Sequence, residues 1–376
     1  MNKNFILAAA SLLGTIIGAG VFGIPYVMAK SGVLVCLFYF LILGTVVLFL
    51  HLFFGEIILR TKKKQRLIGY TENYLGKRFK SLIAFSTISG TIGALLAYIV
   101  LGGDFLKIIF PFPFSSFQLS LIFWIILSFF VLLGMRSIAW SEVFLNSAFF
   151  VVIFLIFFFS IPKLNLFNFD LANLNYLFLP YGVIMFSLIG WSAVPEIEEI
   201  LVRKQDLKKV IIFSVVLATF FCFLFGLIIS GVTGKNTTQE AFQGLIPFLG
   251  KKIMILGGLF GMFVISTSFL VLANYLKNTF MLDFHFPNLA GFLLAVLPPL
   301  FLFLIGMREF ILVISVVGTF VGLIEGVIIS LVWAKAKKQG ERIPEYRVKV
   351  PAILFYSIIV TLVLGAITQT FYHFIS

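Results

Sequence analysis

The feature that most constrains this chain is a succession of apolar runs, each long enough to cross a bilayer, with little polar sequence between them. A helix spans the hydrocarbon core with about 20 predominantly apolar residues. On that scale the sequence predicts eleven spans, at 5–29, 33–59, 81–106, 118–134, 142–161, 179–201, 209–232, 250–276, 288–305, 309–333 and 350–372. The connections are too short for a soluble domain, so 1–376 reads as a single polytopic membrane domain. Composition excludes the alternatives. The chain is 61% hydrophobic and 11% charged, whereas a soluble domain carries about 45–50% apolar and about 25% charged residues. With 49 Phe it cannot stay solvated as a disordered chain either.

The formal net charge of +13 would suit nucleic acid in a soluble protein. In a membrane protein it reads instead as cations gathered in cytoplasmic loops. With the N-terminus inside, 21 Lys and Arg fall on the cytoplasmic side and 7 outside. The expectation is therefore a plasma (inner) membrane protein with a cytoplasmic N-terminus and an extracytoplasmic C-terminus, its partners the lipid bilayer and a small solute. Cys36 and Cys222 lie in apolar runs and supply neither a disulfide framework nor a metal site. The first run follows Lys3 but lacks a convincing cleavage site, so it is read as a retained span.

Spans one to five (5–161) and six to ten (179–333) form halves of nearly equal length, and 350–372 is left over as an additional helix. Five spans is an odd number, so the second half enters the membrane with opposite orientation, as in the inverted repeats of many secondary transporters. The breaks point the same way. Span one reads LLGTIIGAGVFGIPYVMAKSG and span six YGVIMFSLIGWSAVPEIEEIL. Gly14, Gly18, Gly20, Gly23 and Pro25 crowd the first, and Gly182, Gly190 and Pro195 interrupt the second at the corresponding depth. Each Gly weakens a helix interior by about 1 kcal/mol and each Pro by about 3. Non-helical backbone at mid-membrane is tolerated only against protein or a water-filled cavity. Paired interruptions therefore point to a solute site. Freed N–H groups at Gly18, Ala19 and Gly20 suit a carboxylate, and freed carbonyls suit an ammonium group or a cation.

GTIIGAGVFGIPYVMAKSG resembles the first-helix signature of amino-acid permeases of the amino acid–polyamine–organocation superfamily. The likeness is strongest to aromatic/hydroxy amino-acid permeases and the neutral amino-acid transporters of the amino acid/auxin permease type. FSLIGWSAVPEI and STSFLVLANYL resemble their sixth- and eighth-helix motifs. The resemblance implies an all-α integral membrane fold of the leucine-transporter type, a 5+5 inverted repeat with helices 1 and 6 broken plus an eleventh helix. It also implies a substrate carboxylate on the amides of Gly18, Ala19 and Gly20, and an amino group on carbonyls near Ile16 and Phe186. In sodium-coupled relatives a cation sits between the helix-one break, here Ile17, and helix-eight hydroxyls, here Thr267 and Ser268. Span five has no lysine to replace that ion, which disfavours the lysine mechanism of some proton-coupled relatives and leaves sodium and proton both open.

Intramembrane ionisable residues are functional candidates by default. Glu56 before Arg60, Glu199 before Arg203 and Asp104 before Lys107 have helical neighbours of opposite charge, and Glu142, Glu196 and Glu198 sit in first helical turns. Glu325, in GTFVGLIEGVIISLVW, has none within a turn. It is read as a protonation or gating site, alongside Ile17, Thr267 and Ser268 as cation-coupling positions. Gly190, Trp191, Phe186 and Tyr98 are expected to bound the pocket. His51, His285 and His373 are scattered, and His51 is read as remote from any cluster. The expected function is cation-coupled uptake of a neutral, aromatic or large apolar L-amino acid, with no cofactor. A membrane amino-acid sensor is the alternative. A membrane enzyme is disfavoured, because the four Asp (104, 170, 206 and 283) are widely separated.

Overall fold

The computed structural model describes residues 3–110, 113–134, 151–282 and 284–375. Its described elements are helical, and their order follows the apolar runs. The first run is split into α1 (Lys3–Ile16), a short 3-10 turn (Ala19–Gly23) and α2 (Ile24–Ser31), with a bend of 47° across the break. Gly32, at φ +94°, turns the chain directly into α3 (Val33–Arg60) and donates its N–H to Met28. A short helix α4 (Leu67–Leu75) precedes α5 (Lys77–Ile109) and α6 (Ser116–Leu132). Ser115 and Gln118 close a capping box at the start of α6. The described part of the fifth run, α7, covers 151–160. Glu142 lies outside the described residues.

The second half repeats this plan. The sixth run is split into α8 (Pro180–Leu188), a 3-10 turn (Trp191–Ala193) and α9 (Val194–Ile200). Then come α10 (Asp206–Thr233), the one-turn α11 (Ile246–Leu249), α12 (Lys251–Leu282), α13 (Asn288–Leu304), α14 (Phe310–Gln339) and α15 (Ala352–Ile375). Several helices outrun the predicted spans: α5, α12 and α14 continue into charged sequence, because Lys, Gln and Arg are good helix formers where lipid ends. The stretch between Arg60 and Lys80, read as a loop, contains α4, which buries Tyr70, Thr71 and Tyr74.

Burial separates centre from periphery. In their most apolar stretches α5 is 83% buried and α15 only 22%. Phe129, Phe154, Phe158, Phe220 and Phe301 are all exposed, an arrangement that suits lipid and not water. α14 lies against α5, α8, α3 and α15. Its contact with α8 requires glycine: a Cβ on Gly318 would stand 2.1 Å from the Gly182 carbonyl oxygen. A Cβ on Gly322 would instead meet the flexible Met185 side chain at 2.7 Å.

The end of the bundle bearing Lys3, Arg60 and Lys204 is tied by polar bonds. Glu56, fully buried, takes Arg60 at 2.7 Å, the Trp333 indole N–H at 2.9 Å and the Val348 amide at 2.8 Å. Tyr346 donates to the Leu52 carbonyl at 2.8 Å, and burial pushes its hydroxyl well above the ordinary tyrosine pKa. The segment joining α14 to α15 is thereby fastened to α3. The expected Glu199–Arg203 pair does not form, because α9 ends at Ile200 and breaks the helical spacing. Glu199 pairs with Lys64 at 3.2 Å and Arg203 with Asp206 at 3.0 Å. The hydrogen bond from Lys64 to Glu199 raises the lysine's pKa. Asp104 likewise leaves Lys107, which donates to the Phe114 carbonyl at 2.7 Å, and bonds Ser116 across the α5–α6 turn.

The α8–α14 contact gives a graded prediction. Overpacking costs about 1–3 kcal/mol. Gly318→Ala, facing backbone, is expected to lower the thermal unfolding midpoint in detergent more than Gly322→Ala, which faces a movable thioether. Equal midpoints would show that the two helices do not pack this closely.

Candidate functional site

The two breaks lie against one another. In α1 the regular ladder ends with the Ile17 N–H on the Leu13 carbonyl at 2.8 Å. Gly18 (φ −104°, ψ −149°) then turns its N–H back to Ile16 at 2.9 Å, and Val21 donates to Gly18 at 3.3 Å. Ala19 and Gly20 thus begin a new helical segment, where the first N–H groups have no intrahelical acceptor. In α8 the last ladder bond runs from Ile189 to Met185 at 3.2 Å, and the carbonyls of Phe186, Ser187 and Leu188 lie past it. Gly190 (φ −157°, ψ 8°) carries the chain into the Trp191 turn.

Glycine is required where the breaks meet. A Cβ on Gly20 would fall 2.7 Å from the Ser187 Cα, and one on Gly190 would fall 2.4 Å from the Ile16 Cγ1. Donor-rich backbone of the first break therefore faces acceptor-rich backbone of the second. Of the residues expected here, Ile16, Ile17, Ala19, Gly20, Gly190 and Trp191 are buried, while Gly18 and Phe186 are partly exposed.

Glu325 reaches this junction from α14. Its Oε2 accepts the Trp191 indole N–H at 2.6 Å and its Oε1 the Thr87 hydroxyl at 2.9 Å. Trp191 thus belongs at once to the α8–α9 break and to the carboxylate. Thr87, on α5, carried no motif that could have marked it in the sequence. The two donors differ chemically. The indole N–H can only donate, whereas a hydroxyl can donate or accept. An ionised Glu325 is satisfied by both. A protonated one keeps the indole bond and donates to a Thr87 hydroxyl that has rotated.

His51 also stands at the junction, contrary to the expectation that it lies apart. Its ring is 5.8 Å from that of Trp191, and it lies beside Gly190. The reason is register: α3 packs along α8, the Trp191 turn and α9, and Val47, Leu50 and His51 are buried against them. Tyr98 and Ser268 bond one another, joining α5 to α12. The Thr267 hydroxyl turns back to the Val264 carbonyl at 2.9 Å.

On the α2 side of the first break, Phe22 is packed edge-on by Phe105 (5.0 Å), Phe242 (5.3 Å) and Phe225 (6.3 Å). Nothing in the sequence distinguished these rings among 49 Phe. Farther out, a cavity of about 420 Å³ is lined by Tyr26, Val100, Asp104, Gln239, Glu240 and Arg308, among others. At the opposite end the arms are tied by Asn4, which donates to the Ile200 carbonyl at 3.1 Å.

A double-mutant cycle tests the carboxylate's seat. Trp191→Phe leaves a buried acceptor without its donor, which costs about 1–3 kcal/mol. In a Glu325→Leu background that loss is expected to shrink, read as the change in thermal unfolding. Full additivity would mean that the indole and the carboxylate do not interact.

The fold is shared with solved transporters. The structure described as MhsT in complex with L-phenylalanine superposes with a TM-score of 0.69 at 15% identity, covering 99% of this chain and 98% of that one. The substrate-bound, outward-open Na+-coupled sialic acid symporter gives 0.55 at 14% identity, covering 88% and 78%. The fold is thus the leucine-transporter type, with its inverted repeat, broken first and sixth helices and an eleventh helix. No curated protein sequence matches significantly. The profile of the tryptophan/tyrosine permease family, however, matches residues 1–369, and the chain belongs to that family.

Proposed function

We propose that this permease is a secondary active transporter that takes up an aromatic or large apolar L-amino acid together with a cation. The observation that carries the reading is the apposition of the two helix breaks, whose exposed peptide groups are complementary to a zwitterion. The substrate carboxylate is held by the amides of Ala19 and Gly20, with Gly18 at the edge, since its N–H turns to Ile16. The ammonium meets the carbonyls of Ile16 and Phe186. Phe186, Trp191 and Tyr98 bound the side chain. The family's description and the phenylalanine bound to one structural neighbour favour an aromatic solute. Membership of the amino acid–polyamine–organocation superfamily is part of the same reading.

Two seats serve the coupling cation. A sodium ion would sit near Ile17, Thr267 and Ser268, as the sodium-coupled neighbour suggests. A proton would sit on Glu325, whose Thr87 and Trp191 contacts accommodate both protonation states. Coupling requires that ion and substrate each stabilise the other's bound state. The repeats are 5–161 and 179–333, the N-terminus and the basic end of the bundle face the cytoplasm, and the cavity beside Asp104 opens outward in the plasma membrane. That cavity is the entrance.

Uptake of labelled L-tryptophan, L-tyrosine and L-phenylalanine into proteoliposomes, with sodium and proton gradients imposed separately, tests the reading. Accumulation driven by one gradient is expected, and binding without accumulation would favour a sensor. Gly20→Ala is expected to abolish binding while the protein still purifies as a monodisperse species. Unchanged uptake in that variant would remove the site from this position.

A further inference from the structure

His51 is fully buried, and its two ring nitrogens have unequal surroundings. Nδ1 lies 2.8 Å from the Val47 carbonyl. A carbonyl only accepts, so Nδ1 carries the proton in the neutral ring, and Nε2 is left as a lone pair. That Nε2 has no hydrogen-bond partner. It is aimed at the α8–α9 break, 3.4 Å from where a Gly190 Cβ would stand, and the group it faces there is the Gly190 carbonyl. Two acceptors thus confront one another across the break. A buried acceptor left unmatched costs about as much as a lost hydrogen bond. One added proton removes the conflict.

We propose that His51 is a positioning residue of the transport site: protonation of Nε2 lets it donate to the Gly190 carbonyl and latch α3 onto the broken sixth helix. The proton comes from water and no covalent bond to carbon changes. The charged groups that face the pair are few. Glu325, on α14, approaches from behind Trp191 and offers an acidic counter-charge through the indole. Glu56, farther along α3, is already neutralised by Arg60. From α1 comes the apolar Ile16, and from α5 the neutral Thr87, one hydrogen bond beyond Glu325. Latching fixes Gly190 and Trp191, which by the transporter reading border the substrate. The inference rests on that reading only for its consequence for binding, not for the latch itself.

The latch has an optical readout, because a protonated imidazole quenches a neighbouring indole more strongly than a neutral one. The chain has four Trp and three His. The Trp191 contribution, taken as the difference between wild type and Trp191→Phe, is expected to fall as substrate-free protein is titrated from about pH 7 to about pH 3.5, a range set low because a fully buried ring resists charging. The fall is expected to vanish in His51→Gln and persist in Glu325→Gln. In parallel, L-tryptophan affinity should tighten about tenfold over the same range in wild type and stay flat in His51→Gln, the effect of one charge-assisted hydrogen bond. Should His51→Gln fail to fold, 15N-imidazole spectra of the wild type report the same titration directly.

Persistence of the optical transition in His51→Gln, its loss in Glu325→Gln alone, or a His51 ring that stays neutral throughout would overturn the latch. If none of the three aromatic amino acids binds at any pH, the transporter reading fails on its own. The optical titration would still decide the role of His51.

Discussion

Everything in this fold follows from the cost of an unpaired peptide group in lipid. Within the hydrocarbon layer, backbone N–H and C=O groups must find partners inside the protein, so a helix can come apart only where other protein or enclosed water receives what it exposes. Here each broken helix supplies the other's surroundings. Ile16 fills the space that a side chain on residue 190 would need, and Ser187 fills the space beside residue 20. The glycines do more than permit the break. They let two backbones approach closely enough for each break to line the other. Long helices α3, α5 and α14 pack around that junction.

Two buried carboxylates show how the same bond serves different ends. Glu56 and Glu325 each accept a tryptophan indole N–H, at 2.9 and 2.6 Å. Glu56 has Arg60 as counter-ion and also binds a linker amide, so its charge is balanced and its position fixed. That arrangement fastens one end of the bundle. Among the described residues no cation pairs with Glu325, and its two partners are neutral. Burying a charge without a counter-charge is expensive, and an indole bond offsets only part of it. The first carboxylate is therefore charge-balanced, and the second is held by neutral partners alone among the described residues.

The fold was readable because its determinants are additive along the chain. Apolar length marks spans, and Gly and Pro at matched positions mark breaks, so eleven runs and the two interruptions could be located without knowing any contact. The junction's side chains were less legible, since they meet through tertiary register. Thr87, His51 and Glu325 come from three helices with no common motif. His51 was misjudged because its neighbours in sequence are apolar, while its neighbours in space are a broken helix and an indole. Phe22 and its three aromatic contacts were invisible for the opposite reason, since a chain so rich in Phe gives no single ring a signal. The Glu199–Arg203 pairing failed because helical spacing was extended past the end of α9.

The two sides of the junction are held by interactions of different kind, and that difference bears on how each could open. At the basic end, α1 is tied to α9 by one amide–carbonyl bond, and the buried Glu198 and exposed Glu199 hold Lys64 and Lys204 in ion pairs. Of these only Lys64–Glu199 is exposed on both sides, and a pair of that sort contributes about 0–1 kcal/mol and weakens with salt, whereas Glu198 is buried. At the other end, closure rests on Phe22 and the rings around it, whose association is apolar and insensitive to salt. Separating the basic end would therefore break polar and ionic bonds, while separating the other would expose aromatic surface. On the proposed transporter reading, an aromatic solute arriving from the cavity side would take the place of those ring contacts as they part, and its own side chain would offset the apolar cost of opening.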